Sequence, residues 1–182
     1  MCRTGAVGEH GPVPDRYRVT FVCTGNICRS PMAETVLRRR AEREGLGDVL
    51  DVRSSGTGDW HVGQPADRRA VAALAARGYD ASGHRARQVT ESDLDEHDLV
   101  VALDRGHLAA LRAMARTPEQ RARIRLLRSF DPDADDDEVA DPYYGDDEHF
   151  DEVLDQIESA VTGILDHVRR ATGTGDRQGS PS

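Results

Sequence analysis

The chain has 182 residues, enough for one substantial core, and its 37% apolar and 31% charged content is that of a polar globular protein, outside the disordered class. The formal charge of −9 excludes a nucleic-acid backbone as the main partner, since phosphate contacts need a basic face; any anion must be held by local geometry. No apolar run approaches a bilayer span, no secretory signal opens the chain, and three cysteines form no disulfide framework, so the chain reads as cytoplasmic with no membrane partner.

Residues 1–15 are rich in Gly and Pro and 171–182 are small and polar, so both read as flexible tails around one domain at 16–170. "YRVTFV" (17–22) is β-branched and aromatic and predicts a strand ending at Cys23. Ser30 is a natural N-cap and Pro31 a natural first helical residue. Met32, Ala33, Val36, Leu37 and Ala41 then fall on one helical face until Gly45 and Gly47 stop it. "VLDVRSS" (49–55) predicts a second strand. A Gly-rich loop carrying the single Trp, Trp60, leads into a helix over "RRAVAALAARGYD", closed by Gly78.

"DLVVALD" (98–104) is nearly continuous apolar sequence, the mark of a strand buried on both faces of a parallel sheet. A helix around 105–115 and a short strand, "RIRLL" (123–127), follow. From Phe150 to Val168 apolar residues hold helical spacing for five turns and predict a long amphipathic closing helix. This alternation predicts a three-layer α/β sandwich: a central four-stranded parallel sheet with helices on both faces. Ligands in such sheets sit at the carboxyl ends of the strands, and the turn after the first strand is such a place.

That turn reads "CTGNICRS". The free N–H groups of a helix start, joined by those of the Gly25 loop, form an anion cradle. Cys23 stands at its entrance and Arg29 at its exit, where a planar guanidinium can grip two phosphate oxygens. The same positive surroundings favour a sulfur anion, so Cys-x5-Arg-Ser describes a nucleophile beneath a bound phosphorus. Taken alone, a Cys at a strand end is a small buried hydrophobe; the strand before it and the Ser-Pro helix start after it turn the balance to catalysis. A zinc site at Cys23 and Cys28 would need two further ligands at finger spacing, and none exists. No metal and no cofactor are expected.

"VCTGNICRSPMAE", followed much later by "DPYYG" (141–145), resembles the low molecular weight protein tyrosine phosphatases over about residues 17 to 168. The resemblance implies that Cys23 is the nucleophile and Arg29 the phosphate-binding arginine. Thr24, Gly25, Asn26, Ile27 and Cys28 complete the loop. Asn26 supports the loop backbone with Ser54 and His84 behind it, the spacing to His84 being the looser match, and Ser30 offers its hydroxyl to the sulfur anion. Asp141 is the general acid, and Trp60, Tyr143 and Tyr144 wall the cleft. The chemistry needs such an acid because a leaving phenolate is strongly basic, and protonating it as it departs gains about 100- to 10,000-fold. The same residue, then a carboxylate, can activate the water that hydrolyses the cysteinyl-phosphate.

Each assignment has a plainer counterpart. The Asp-rich run at 131–141 is, without the Cys loop, a solvated surface stretch. Trp60 is a core residue or an exposed wall, and Tyr143 and Tyr144 line a cleft, cap the last helix, or are themselves phosphorylated. Cys28 is loop packing or, as the resemblance implies, the partner of Cys23 in a reversible disulfide. Cys2 lies in the N-terminal tail. His61, His97, His107, His149 and His167 show no constellation and read as surface or packing residues. Arsenate reductases share the loop but need cysteines downstream, and none follows residue 28; protein-arginine phosphatases resemble the family with Thr where Ile27 stands. A phosphate-recognition module without catalysis would lack the nucleophile or the acid, and both are present. The expected partners are tyrosine-phosphorylated proteins, with inorganic phosphate or vanadate as active-site ligands, and the expected state is a monomer.

Overall fold

A computed structural model describes residues 15–177 of the chain; Cys2, the rest of 1–14, and 178–182 lie outside the described residues. Four parallel strands, β1 (Tyr17–Cys23), β2 (Leu50–Gly56), β3 (Leu99–Ala102) and β4 (Ile124–Leu126), form one sheet in the order β2-β1-β3-β4. In register, Cys23 at the end of β1 lies beside Gly56 of β2, and Val22 beside Ala102 of β3. The carboxyl ends of three strands therefore meet at one edge.

Side-chain alternation splits the core between the two faces of this sheet. Val19, Phe21 and Cys23 of β1 and Leu99 and Val101 of β3 turn to one face. There they meet helix α1 (Arg29–Arg43), helix α2 (Arg68–Ala76) and the closing helix Asp147–Thr172. Val22, Val100 and Ala102 turn to the other, against Leu94 of helix α3 (Glu91–Glu96) and Leu111 of helix α4 (Arg105–Met114). This is the three-layer sandwich expected from the strand–helix alternation.

Helices α3 and α5 (Pro118–Arg123) escape the periodicity argument, because six residues are too few to show an apolar stripe. Their signal is the cap. Thr90 N–H donates to Asp93 Oδ2 at 2.7 Å, and Gln120 N–H donates to Thr117 Oγ1 at 3.1 Å with Pro118 next to the cap. The closing helix, α6 (Asp147–Thr172), starts on Asp146, whose Oδ1 accepts from His149 N–H at 3.3 Å, and ends at Gly173 in the left-handed region, φ 66°. It and the 3-10 turn Thr174–Arg177 run into the stretch read as the C-terminal tail. Among the described residues no helix is long and apolar enough to cross a membrane.

Candidate active site

The loop between β1 and α1 is held from three sides. Thr57 N–H donates to Cys23 O at 2.8 Å and Gly58 N–H to Thr24 O at 3.0 Å. Gly56 is required at this approach, because a Cβ there would lie 2.6 Å from Thr24 O. At the loop's centre Asn26 takes a left-handed backbone, φ 56°, and is fully buried. Asn tolerates that conformation better than most residues, and every polar group of its side chain is used. Its Nδ2 donates to Ser30 Oγ at 2.8 Å and Ser54 Oγ at 3.0 Å, and its Oδ1 accepts from Arg87 N–H at 3.0 Å. His84 Nε2 donates to the Asn26 carbonyl at 2.7 Å. Ser54 in turn donates to the Glu34 carboxylate.

Ser30 departs from the expectation that it caps α1. The helix begins one residue earlier, at Arg29, with Cys28 in the cap position and no side-chain cap. The Ser30 hydroxyl is engaged elsewhere: it accepts from Asn26 and lies 2.9 Å from Cys23 Sγ, with the Ser55 carbonyl farther off at 3.3 Å. Its single proton is shared between the Ser55 carbonyl, to which it donates at 3.3 Å, and the nearer Cys23 sulfur at 2.9 Å.

Arg29 is buried, and its charge faces two carboxylates, of which Asp104 was missed in the sequence. Nη1 donates to Asp104 Oδ2 and to the Val139 carbonyl, both at 2.9 Å, while Nη2 lies 3.5 Å from Asp141 Oδ2. Burial alone would raise the Asp104 carboxyl, but the His107 amide and the Arg29 guanidinium outweigh it and hold Asp104 below the usual carboxylate range. Asp104 stands where β3 ends, and a carboxylate at a strand's carboxyl end was the available signal. His107, also unassigned in the sequence, is buried with Nε2 2.8 Å from Thr24 Oγ1. Its Nδ1 lies 3.1 Å from Asp104 Oδ1 in a direction that makes no hydrogen bond.

Asp141 is half-exposed and accepts the Tyr143 N–H at 3.1 Å through Oδ1. Cys23, Thr24, Gly25, Ile27, Cys28 and Arg29 form the floor of a cleft of about 440 Å³, with Asp141, Trp60, Tyr143 and Tyr144 around it. Trp60 is 63% and Tyr144 93% exposed, and the two tyrosines meet edge to face at 4.9 Å. His61 completes the rim; its ring lies so close to Gly25 that a Cβ there would sit 2.8 Å from Cδ2. A larger, polar cleft of about 680 Å³ lies behind the loop and includes Ser54 and His84, but it holds none of Cys23, Arg29 or Asp141. Cys23 and Cys28 are both free and buried. Burial, and then the charges of Asp67, Cys23 and Asp141, push the Cys28 thiol far up, so Cys28 stays protonated.

Residues 18–173 match the family model of the low molecular weight phosphotyrosine protein phosphatases. The chain belongs to this family.

The low molecular weight protein-tyrosine-phosphatase of Streptomyces coelicolor is 54% identical over 155 residues, covering 84% of this chain and 94% of that protein. The low molecular weight protein-tyrosine phosphatase A of Mycobacterium tuberculosis is 51% identical over 156 residues, covering 85% and 93%. Among solved structures, a protein tyrosine phosphatase from Entamoeba histolytica with Hepes in its active site superposes with a TM-score of 0.80 at 31% identity, covering 87% of this chain and 99% of that one. In this chain the sequence-predicted loop, acid and wall residues share one cleft or, for Asn26, Ser30, Ser54 and His84, pack directly behind its floor.

Proposed function

We propose that the chain hydrolyses phosphotyrosine in proteins through a cysteinyl-phosphate formed on Cys23. The observation that carries this reading is the placement of Cys23 Sγ, Arg29 and Asp141 about one cleft, with the Ser30 hydroxyl 2.9 Å from the sulfur. Cys23 attacks phosphorus, the P–O bond to the tyrosine breaks, and Asp141 gives its proton to the departing phenolate oxygen. The resulting Asp141 carboxylate takes a proton from water, which attacks the same phosphorus. The P–S bond breaks and inorganic phosphate leaves. Loop amides and the Arg29 fork stabilise the charge on the transferring phosphoryl oxygens. Trp60, Tyr143 and Tyr144 suit a flat aryl group, and Ile27 in the cleft floor favours it over phosphoarginine.

The same reading gives a monomer acting in the cytoplasm on tyrosine-phosphorylated proteins, inhibited by phosphate and vanadate. With peroxide as oxidant, the Cys23 and Cys28 thiols lose two electrons and two protons to form a protective disulfide, and peroxide is reduced to water.

The test is steady-state turnover of a phosphotyrosine peptide by the parent, Cys23→Ser and Asp141→Asn, with a phosphoarginine peptide as control. Cys23→Ser should abolish turnover. Asp141→Asn should lower kcat by about 100- to 10,000-fold and leave inhibition by inorganic phosphate unchanged. A Cys23→Ser protein as fast as the parent would sink the covalent mechanism, and preferential turnover of phosphoarginine would sink the substrate assignment.

A further inference from the structure

Asp141 faces Arg29 Nη2 at 3.5 Å, but among the described residues the backbone of its turn is hydrogen-bonded to the body of the protein by one side chain. Among the described residues, the hydrogen bonds reaching the backbone of 141–145 from outside the turn come from Arg69, with Nη2 donating to Tyr143 O at 2.9 Å and Nη1 to Gly145 O at 3.0 Å. The guanidinium is itself seated on Asp67: Nε donates to Oδ1 at 3.1 Å and Nη2 to Oδ2 at 3.0 Å. Asp67 caps α2 by accepting Arg69 N–H at 2.8 Å, and its own N–H donates to Ile27 O, in the phosphate loop, at 2.8 Å. The Arg69 guanidinium carbon also lies 4.7 Å from the centre of the Phe150 ring at the start of α6. One planar fork thus spans the phosphate loop's neighbour and a segment more than seventy residues away.

We propose that Arg69, seated on Asp67, is the positioning residue of the acid turn, a strap that fixes Asp141 over the phosphate loop. The proposal rests on the reading of Asp141 as general acid. Arg69 is no catalytic residue in it: it acts through the Tyr143 and Gly145 carbonyls. The task suits arginine, whose fork can hold a carboxylate and two carbonyls at once, whereas a lysine ammonium is a single point of attachment. An exposed turn without that strap would sample positions from which the acid misses the leaving oxygen, and small misplacements are costly to proton transfer.

The experiment separates positioning from general damage by the leaving group. Phenyl phosphate needs the proton; 2,4-dinitrophenyl phosphate releases a stable phenolate and scarcely needs it. Arg69→Met keeps the stem over Phe150 and should slow phenyl phosphate turnover by about 10- to 100-fold, within the range of general acid catalysis, while slowing the dinitrophenyl ester by less than about threefold and leaving phosphate inhibition unchanged. Arg69→Lys should fall between Arg69→Met and the parent. Asp67→Asn keeps the α2 cap but weakens the seat, and should give the same pattern in weaker form; it decides the matter if Arg69→Met fails to fold. Combining Arg69→Met with Asp141→Asn should be no slower than Asp141→Asn alone. Equal slowing of both esters by Arg69→Met, or multiplicative losses in the combined variant, would overturn the strap while leaving the acid intact. An Asp141→Asn protein that slows both esters equally would overturn the acid and the strap together.

Discussion

His107 makes the stability of this phosphatase depend on pH in a window where few groups titrate. Burial disfavours its charged form, Asp104 and Asp141 partly oppose that and Arg29 adds to it, and the net effect pushes its pKa down from 6.5 to about 4. As pH falls, the unfolded chain takes up this proton near 6.5 while the native protein waits until about 4. Between these values the unfolded state binds more protons, so stability drops as pH drops. At about 1.4 kcal/mol per pH unit, the native protein should lose about 2 kcal/mol from this group between roughly pH 8 and pH 5. The assay is urea unfolding at both pH values for the parent and for His107→Gln, which cannot titrate and can still reach Thr24. All other ionisable groups are common to the two proteins, so the difference of differences isolates His107. With a urea slope of about 2 kcal/mol/M, the parent's midpoint should fall by about 1 M more than that of the variant. Parallel falls, within about 0.3 M on the same slope, would refute the argument that burial keeps this imidazole neutral.

Two further substitutions probe the packing beneath the site. Gly163→Ala adds a Cβ that would lie 1.9 Å from the Phe130 carbonyl, so despite the better helix propensity of Ala the variant should lose at least about 2 kcal/mol and melt roughly 5 °C lower; a higher melting temperature would show that the contact between α6 and the 127–130 turn is slack. Asn26→Ala removes four hydrogen bonds or their geometry in a left-handed position, and turnover of phenyl phosphate should fall by about 10-fold or more, with about 1–3 kcal/mol of stability lost for the buried groups left unpaired. Near-parental activity would mean that the loop keeps its shape without this buttress.

The parts of the site legible in the sequence are those whose reasons lie close together in the chain. Cys23, Gly25, Arg29 and Pro31 fall within nine residues, and the strand before and helix after them follow from β-branched run and apolar spacing. Asp104, His107, Glu34 and Arg69 act on the loop, its supports and the Asp141 turn through contacts 20 to 83 residues apart in the chain, between neighbours that only the fold brings together: β3 beside β1 places Asp104 against Arg29. Ser30 illustrates a different limit. The Ser-Pro pair argued correctly for a helix start, but the Ser30 hydroxyl is turned to Cys23, Asn26 and the Ser55 carbonyl, and the helix begins one residue earlier without a side-chain cap. Helices α3 and α5 were invisible to apolar periodicity yet written in their capping boxes. His84 entered through family likeness, since nothing local marks it; its reach to the Asn26 carbonyl is a property of the fold.

The most direct test of the account is capture of the phosphoenzyme. Asp141→Asn, mixed rapidly with a phosphotyrosine peptide and quenched in acid, should carry one phosphoryl group, and peptide mapping should place it on Cys23. Turnover with no phosphoryl on Cys23, or label found on another residue, would contradict the central claim that this sulfur displaces the alcohol from phosphorus.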